Sequence, residues 1–196
     1  MAYIGMRYPV AAPITSHTDG SAITYGNGFV VGNAVQANIN FDVNDNPDWG
    51  DDIIIDNDTG INGYNGTLDV NALSASVRAS LLGWTAVGSA TTHYEVTDAS
   101  APDVGFGFIH ISQYKGTKSY ETYWFHSAQF SQQSIAASTK ERQITWNHPQ
   151  MNFVGKGVYL DSSGKAKYFD WMSFDSESSA KSWLNTKAGI SASQNT

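Results

Sequence analysis

The residues most able to do chemistry are five histidines, at positions 17, 93, 110, 126 and 148. Histidine suits proton transfer and metal ligation near neutral pH. Their spacing serves neither purpose, because no His-Glu-x-x-His and no i, i+4 pair occurs. His110 and His126 could face one another across a hairpin, but a partly exposed strand histidine is the plainer reading. No Gly-x-Ser-x-Gly elbow is present, so serine hydrolysis lacks its usual anchor. The chain has no cysteine, which excludes disulfides, thiolate metal sites and cysteine nucleophiles. Asp42-x-Asn44-x-Asn46 opens like a calcium loop, yet Pro47 stands where the turn needs glycine and Ile53 where the bidentate acid belongs. Gly26-x-Gly28 reads as a turn rather than a phosphate cradle. Trp124, Trp146 and Trp171 could stack on sugars, although tryptophans of β-rich domains more often fill cores or interfaces. The expectation is a protein that is not an enzyme, with no catalytic residue, cofactor or metal.

Composition narrows the partners. Of 196 residues, 41% are hydrophobic and 13% aromatic, enough for one packed core. Only 15% are charged, against roughly 25% in ordinary domains, so Ser, Thr, Asn and Gly must dress the surface. The net charge of -7 is concentrated: seven aspartates lie between Asp42 and Asp58 with no Lys or Arg among them, and elsewhere acids and bases balance. A basic nucleic-acid footprint is therefore missing. No apolar run has the length of a membrane span. The first ten residues lack a basic stretch followed by an apolar one, so no secretory signal is expected.

The elements that must position these residues read as strands. Val35, Ala37, Ile39, Phe41 and Val43 alternate with Gln36, Asn38, Asn40 and Asp42, predicting a strand with one dry and one wet face. The stretch from Tyr64 to Asn71 repeats the pattern, with Leu68 and Val70 inward and Asn65, Thr67, Asp69 and Asn71 outward. Further strands are predicted at 29–32, 104–113, 120–130, 143–148, 158–160 and 168–174, with Lys115–Lys118 as a hairpin tip. Two short helices are expected: Leu73–Leu82 stopped by Gly83, and one capped by Asp175 or Ser176 and closed by Gly189. The fold class is thus mainly β, in one domain over residues 1–190 with a frayed tail at 191–196.

Residues 44–63 are the anomaly, about twenty residues of apparent loop between two alternating strands. They carry Asp48, Trp49, Gly50, Asp51 and Asp52, then Ile53, Ile54 and Ile55. Three readings stand: a loop folded on its own domain, an arm whose apolar residues dock on another subunit, and a calcium site.

Several segments, in order, resemble the major tail protein family of long-tailed, non-contractile phages of Gram-positive bacteria. Tyr3-Ile-Gly-Met-Arg-Tyr-Pro-Val10 is similar to that family's first strand, and Val35–Asp52 to its acidic stretch after an alternating strand. Gly66–Ser74 with Leu81-Leu-Gly83 resembles its strand–helix unit. Ala101–Phe108, then Phe169–Phe174 with Ala180–Asn185, match its later half. The resemblance spans most of the chain.

It implies a β-sandwich, the tail-tube fold, with one or two flanking helices, an N-terminal arm over 1–28 and a long acidic stacking loop at 44–63. It implies a structural protein of the virion, assembled in the host cytoplasm. Hexameric rings would stack head to tail into a tube through which genomic DNA passes without specific binding. Partners would be further copies and the tape-measure, tail-terminator and distal-tail proteins, with no membrane. Gln36, Asn38, Asn40, Asp42, Asn65, Thr67, Asp69 and Asn71 would face the channel. Residues 48–55 would reach a neighbouring subunit, toward Lys115, Lys118, Lys165 or Lys167. The alternative is a β-sandwich that binds carbohydrate or decorates a capsid.

Overall fold

The structure, a computed structural model, describes residues 2–50, 53–88, 93–96, 100–132 and 148–191, without the side chains at 48–50, 53–54, 56–58 and 132. The strand expected at 143–148, except its last residue, lies outside this set, as do Trp146 and the tail beyond 191.

The fold is mainly β. Its strands are β1 (Ala2–Ser16), β2 (Thr24–Tyr25), β3 (Phe29–Val30), β4 (Ala34–Gly50), β5 (Ile53–Val70), β6 (Thr85–Ala86), β7 (Tyr94–Glu95), β8 (Asp103–Tyr114), β9 (Thr117–Gln132), β10 (Gln150–Lys156) and β11 (Phe169–Phe174). Helix α1 spans Ala75–Leu82 and α2 spans Glu177–Ala188. One antiparallel sheet runs β2-β1-β8-β9-β10-β5-β4, with β3 on β1 and β11 on β9, while β6 and β7 form a separate pair. The segment expected as an N-terminal arm is therefore largely a strand inside the sheet. β1 pairs with β8 from Ala2 to Pro13, a contact between segments about a hundred residues apart that no local pattern announces.

Strand β9 organises the rest. Val104 faces Ala128 but Phe106 faces Phe125, so one extra residue sits in β9 around His126 and Ser127. This bulge reverses the alternation and turns Phe125, Ala128 and Phe130 toward the same side. It is also where the far edge of β9 changes partner, from β11 up to Phe125 to β10 from Ala128. Two tyrosines satisfy the bulge: Tyr25 donates its hydroxyl to the His126 carbonyl (3.0 Å) and Tyr64 to the Ser127 carbonyl (2.8 Å). Burial pushes the Tyr25 hydroxyl up to about 12 and raises that of Tyr64 further, so both remain donors. Tyr64→Phe removes the donor and leaves a carbonyl buried, which is expected to destabilise the fold by about 1–3 kcal/mol. The urea midpoint measures it.

The sheet has a core on each face. Phe106, Phe125, Phe130 and Phe153 pack with Tyr64, Leu68 and Met151 on one side, the Phe106 and Phe125 rings stacked at 4.8 Å. On the other side α2 presents Ala180, Leu184 and Ala188 to Val10, Ala12, Ile109 and Trp124. Gly107 permits that approach, since a Cβ there would lie 2.9 Å from both Leu184 and Trp124. Both helices end at the expected glycines and α2 takes Ser176 as its cap, while α1 starts at Ala75, two residues later than expected, behind Ser74. Ser74 accepts from Val77 N–H and Ser176 from Ser179 N–H, and Gly83 and Gly189 close the ends at φ of 73° and 67°.

Asp170 of β11 pins the end of α2 by pairing with Lys187, and the His126 Nε2 lies 3.5 Å from its carboxylate. The His126 contact, with Lys187, holds the Asp170 carboxyl well below the usual carboxylate range. A depressed acid stabilises the fold above its unfolded pKa of ~3.9 and loses that contribution as pH falls through the folded value. Thermal midpoints should therefore drop more steeply below about pH 4 in the parent than in Asp170→Asn.

Candidate functional site

The polar face predicted for β4 and β5 forms by direct cross-strand pairing. Gln36 stands opposite Asp69, Asn38 opposite Thr67 and Asn40 opposite Asn65. β10, which the sequence reading missed, extends it: Asn152 pairs with Thr67 and Val154 with Asn65, while Gln150 pairs with Asp69. β9 adds Ser131 beside Asn152 and Gln129 beside Val154. Two rows thus cross four strands, Asn38–Thr67–Asn152–Ser131 and Asn40–Asn65–Val154–Gln129, a width of about 14 Å at the usual strand spacing. The reverse side of these strands carries Leu68, Met151, Phe153 and Phe130 of the core. Amide and hydroxyl groups dominate the face. At its margin Lys156 pairs with Asp103 at 2.9 Å, so among the described residues Asp42 and Asp69 supply its uncompensated charge.

Two expectations for this face are corrected. Asn71 lies past the end of β5, with its N–H donated to the Asn33 carbonyl, because a bulge at Val35 shifts the register where the strands end. On the predicted dry face of β4 Ala37 and Ile39 pack against the core and the half-exposed Phe41 ring reaches Tyr64 and Phe169, whereas Val35 and Val43 stay exposed.

Residues 44–63 are not a loop. β4 and β5 continue as one ladder through Asn44–Gly60, Asn46–Asp58 and Asp48–Asp56 to Gly50–Ile53. The stretch does not read as a strand because most of its described side chains are exposed, so nothing selects a dry face. Pro47 is tolerated because β4 is the last strand of the sheet, with no partner on its outer edge among the described residues. Extra residues at Asn62 and Ile55 bulge β5 twice, which increases twist. The distal hairpin, here the arm, sets Asp48 opposite Asp56 in register. An isolated two-stranded ribbon is marginal in water. Val43, Ile55 and Ile61 remain exposed along it, Ile55 at 67%. The side chains of Asp48, Trp49, Gly50, Ile53 and Ile54 lie outside the described set, as do Asp51 and Asp52 entirely.

The histidines do not converge. His110 pairs in register with Glu121 and stacks on Tyr3 at 4.0 Å, and burial lowers its pKa against the opposing pull of Glu121. His126 sits in the β9 bulge. Among the described residues no three His, Asp or Glu side chains are grouped to hold a metal. Trp124 is fully buried, while Trp171 is exposed on β11. Of the lysines set against the acidic stretch, Lys167 pairs with Asp161 of its own chain.

Fold and site together define a mainly β protein with one hydrated sheet face and one projecting, acidic, apolar-striped hairpin. No family model matches the chain, and no curated protein does.

Proposed function

We propose that this chain is a structural subunit that assembles into stacked rings, forming a phage tail tube around a DNA channel. The observation that carries the reading is the four-strand polar face, which holds six of the eight predicted channel residues in three cross-strand pairs. A channel for DNA must be wetted without offering phosphates a counter-charge, since each phosphate neutralised by Lys or Arg adds salt-sensitive affinity. Amides, hydroxyls and two uncompensated aspartates meet that demand. The edge of β4, without a partner among the described residues, and the exposed Val43, Ile55 and Ile61 supply what a subunit needs and a monomer should avoid, because exposed edges invite pairing.

Negative-stain electron microscopy across a concentration series tests this. Rings or hollow, striated tubes are the expected result. Monomers throughout, together with retention on immobilised glycans, would overturn it in favour of a carbohydrate-binding or capsid-decorating module, for which exposed Trp171 is the supporting feature.

A further inference from the structure

The β9 bulge leaves one polar group unused. Tyr25 and Tyr64 take the carbonyls of His126 and Ser127. The Ser127 hydroxyl, on a residue only 1% exposed, has no hydrogen-bond partner among the described residues. Native folds rarely carry a buried, unpaired hydroxyl without a reason. Ser127 lines a cavity of about 390 Å³, within the ~300–1,000 Å³ range of ligand pockets. His17 lines it too, and its Nε2 is likewise buried and unpartnered among the described residues.

The walls are tied in place. Gly20 N–H donates to the Tyr159 carbonyl at 2.9 Å, which holds segment 17–23 against the chain that follows β10. Val158 is itself bridged to Lys167. Asp103 and Lys156 close another side as an ion pair at 2.9 Å, and Asp19 adds an exposed carboxylate. Ile14, Ile23 and Val158 supply apolar surface, with the Tyr159 ring 42% exposed beside them.

These groups select a chemistry. A simple anion would meet two carboxylates, and a simple cation would meet the Lys156 ammonium. A neutral polyol avoids both conflicts. Each of its hydroxyls donates and accepts, so it can give a proton to Asp19 or Asp103 and accept one from Lys156 or Ser127. A sugar ring also has a C–H face that suits Tyr159 and the two isoleucines.

We propose that the cavity between segment 17–23 and the chain following β10 binds a hexopyranose ring, with Ser127 and His17 as its innermost contacts. This site goes beyond the assembly reading and does not depend on it.

Saturation-transfer NMR on the full chain tests it, with methyl glucoside and methyl galactoside as the bare ring and soluble dextran as the ring carried on a polymer. At least one hexoside is expected to take up saturation from the parent. Ser127→Ala and Asp19→Asn should each weaken that binding about tenfold. Ser127→Ala removes a hydroxyl that has no partner in the fold, so its thermal midpoint should not fall and lost binding cannot be attributed to unfolding. Trp171→Ala, which removes the exposed tryptophan of β11, should bind as the parent does. No uptake of either hexoside at its solubility limit overturns the site. So does uptake that needs Trp171 but not Ser127, or equally strong competition by sodium sulfate or calcium chloride. Dextran binding with the same sensitivity to Ser127→Ala supports the site with a glycan as the source, and hexoside binding without it supports the site with a free sugar. Tubes without uptake overturn the site and leave the tube reading standing.

Discussion

Excising residues 44–62 and joining Val43 to Gly63 through an Asn-Gly turn is expected to give a folded monomer that no longer assembles. The cut falls where the ladder leaves the body, and Asn-Gly suits the two-residue turn that closes a hairpin. The arm gives its own chain little beyond the ladder itself. Val43 and Ile55 are exposed, and the Ile61 carbonyl accepts a hydrogen bond from the Tyr168 hydroxyl. The thermal midpoint should therefore move by no more than a few degrees. Assembly should respond far more. Each large apolar side chain buried in a contact is worth about 1.5–3 kcal/mol. Losing even one or two raises the critical concentration on the order of a hundredfold. Trp49→Ala tests the same contact in smaller measure, and a loss of about 2 kcal/mol or more marks a hot spot. Sedimentation velocity reads both. Normal tubes from the excised chain would mean that rings stack through another surface.

How far the sequence discloses this design depends on where each signal resides. Local signals are legible. Alternation from Val35 to Asp42 marks the hydrated face, and Ser176 and Gly189 bound α2 within a residue or two. The turn at Lys115 and Gly116 sits where a hairpin tip is expected. Three features are hidden for separate reasons. The β1–β8 pairing joins distant segments and leaves no periodic trace in either. The bulge around His126 changes the parity of β9 midway, so counting every second residue misassigns half the strand. The arm lacks alternation because its described side chains are exposed on both sides, and its proline and aspartates then argue for a loop. β10 is the instructive miss. Met151, Phe153 and Gly155 point inward and Gln150, Asn152 and Lys156 outward, but exposed Val154 and buried Gly155 invert the usual types at one step. The polar face was thus half visible: β4 and β5 named it, and β10 and β9 complete it only through register.

Replacing Asn38 and Asn40 with lysine is expected to turn that face from a surface DNA slides past into one it holds. Both side chains are exposed and lie in different rows, opposite Thr67 and Asn65. Long lysine stems can extend into solvent from these positions without disturbing the core behind them. Among the described residues this face gives phosphates no unpaired cation, since Lys156 is engaged by Asp103. Every lysine that reaches a phosphate adds about -0.9 to the slope of log affinity against log salt. If six copies line a ring, even partial engagement raises affinity at low salt by orders of magnitude. Assembled parent tubes should therefore release duplex DNA at about 50 mM salt, while N38K/N40K tubes retain it and release it only as salt rises. In whole particles the same change should slow ejection. An N38A/N40A control separates charge from shape, because it alters the face without adding a cation and should behave as the parent does. Unchanged retention and ejection in the lysine variant would place this face away from the DNA path. The channel would then have to be sought on the other exposed surfaces of the sheet.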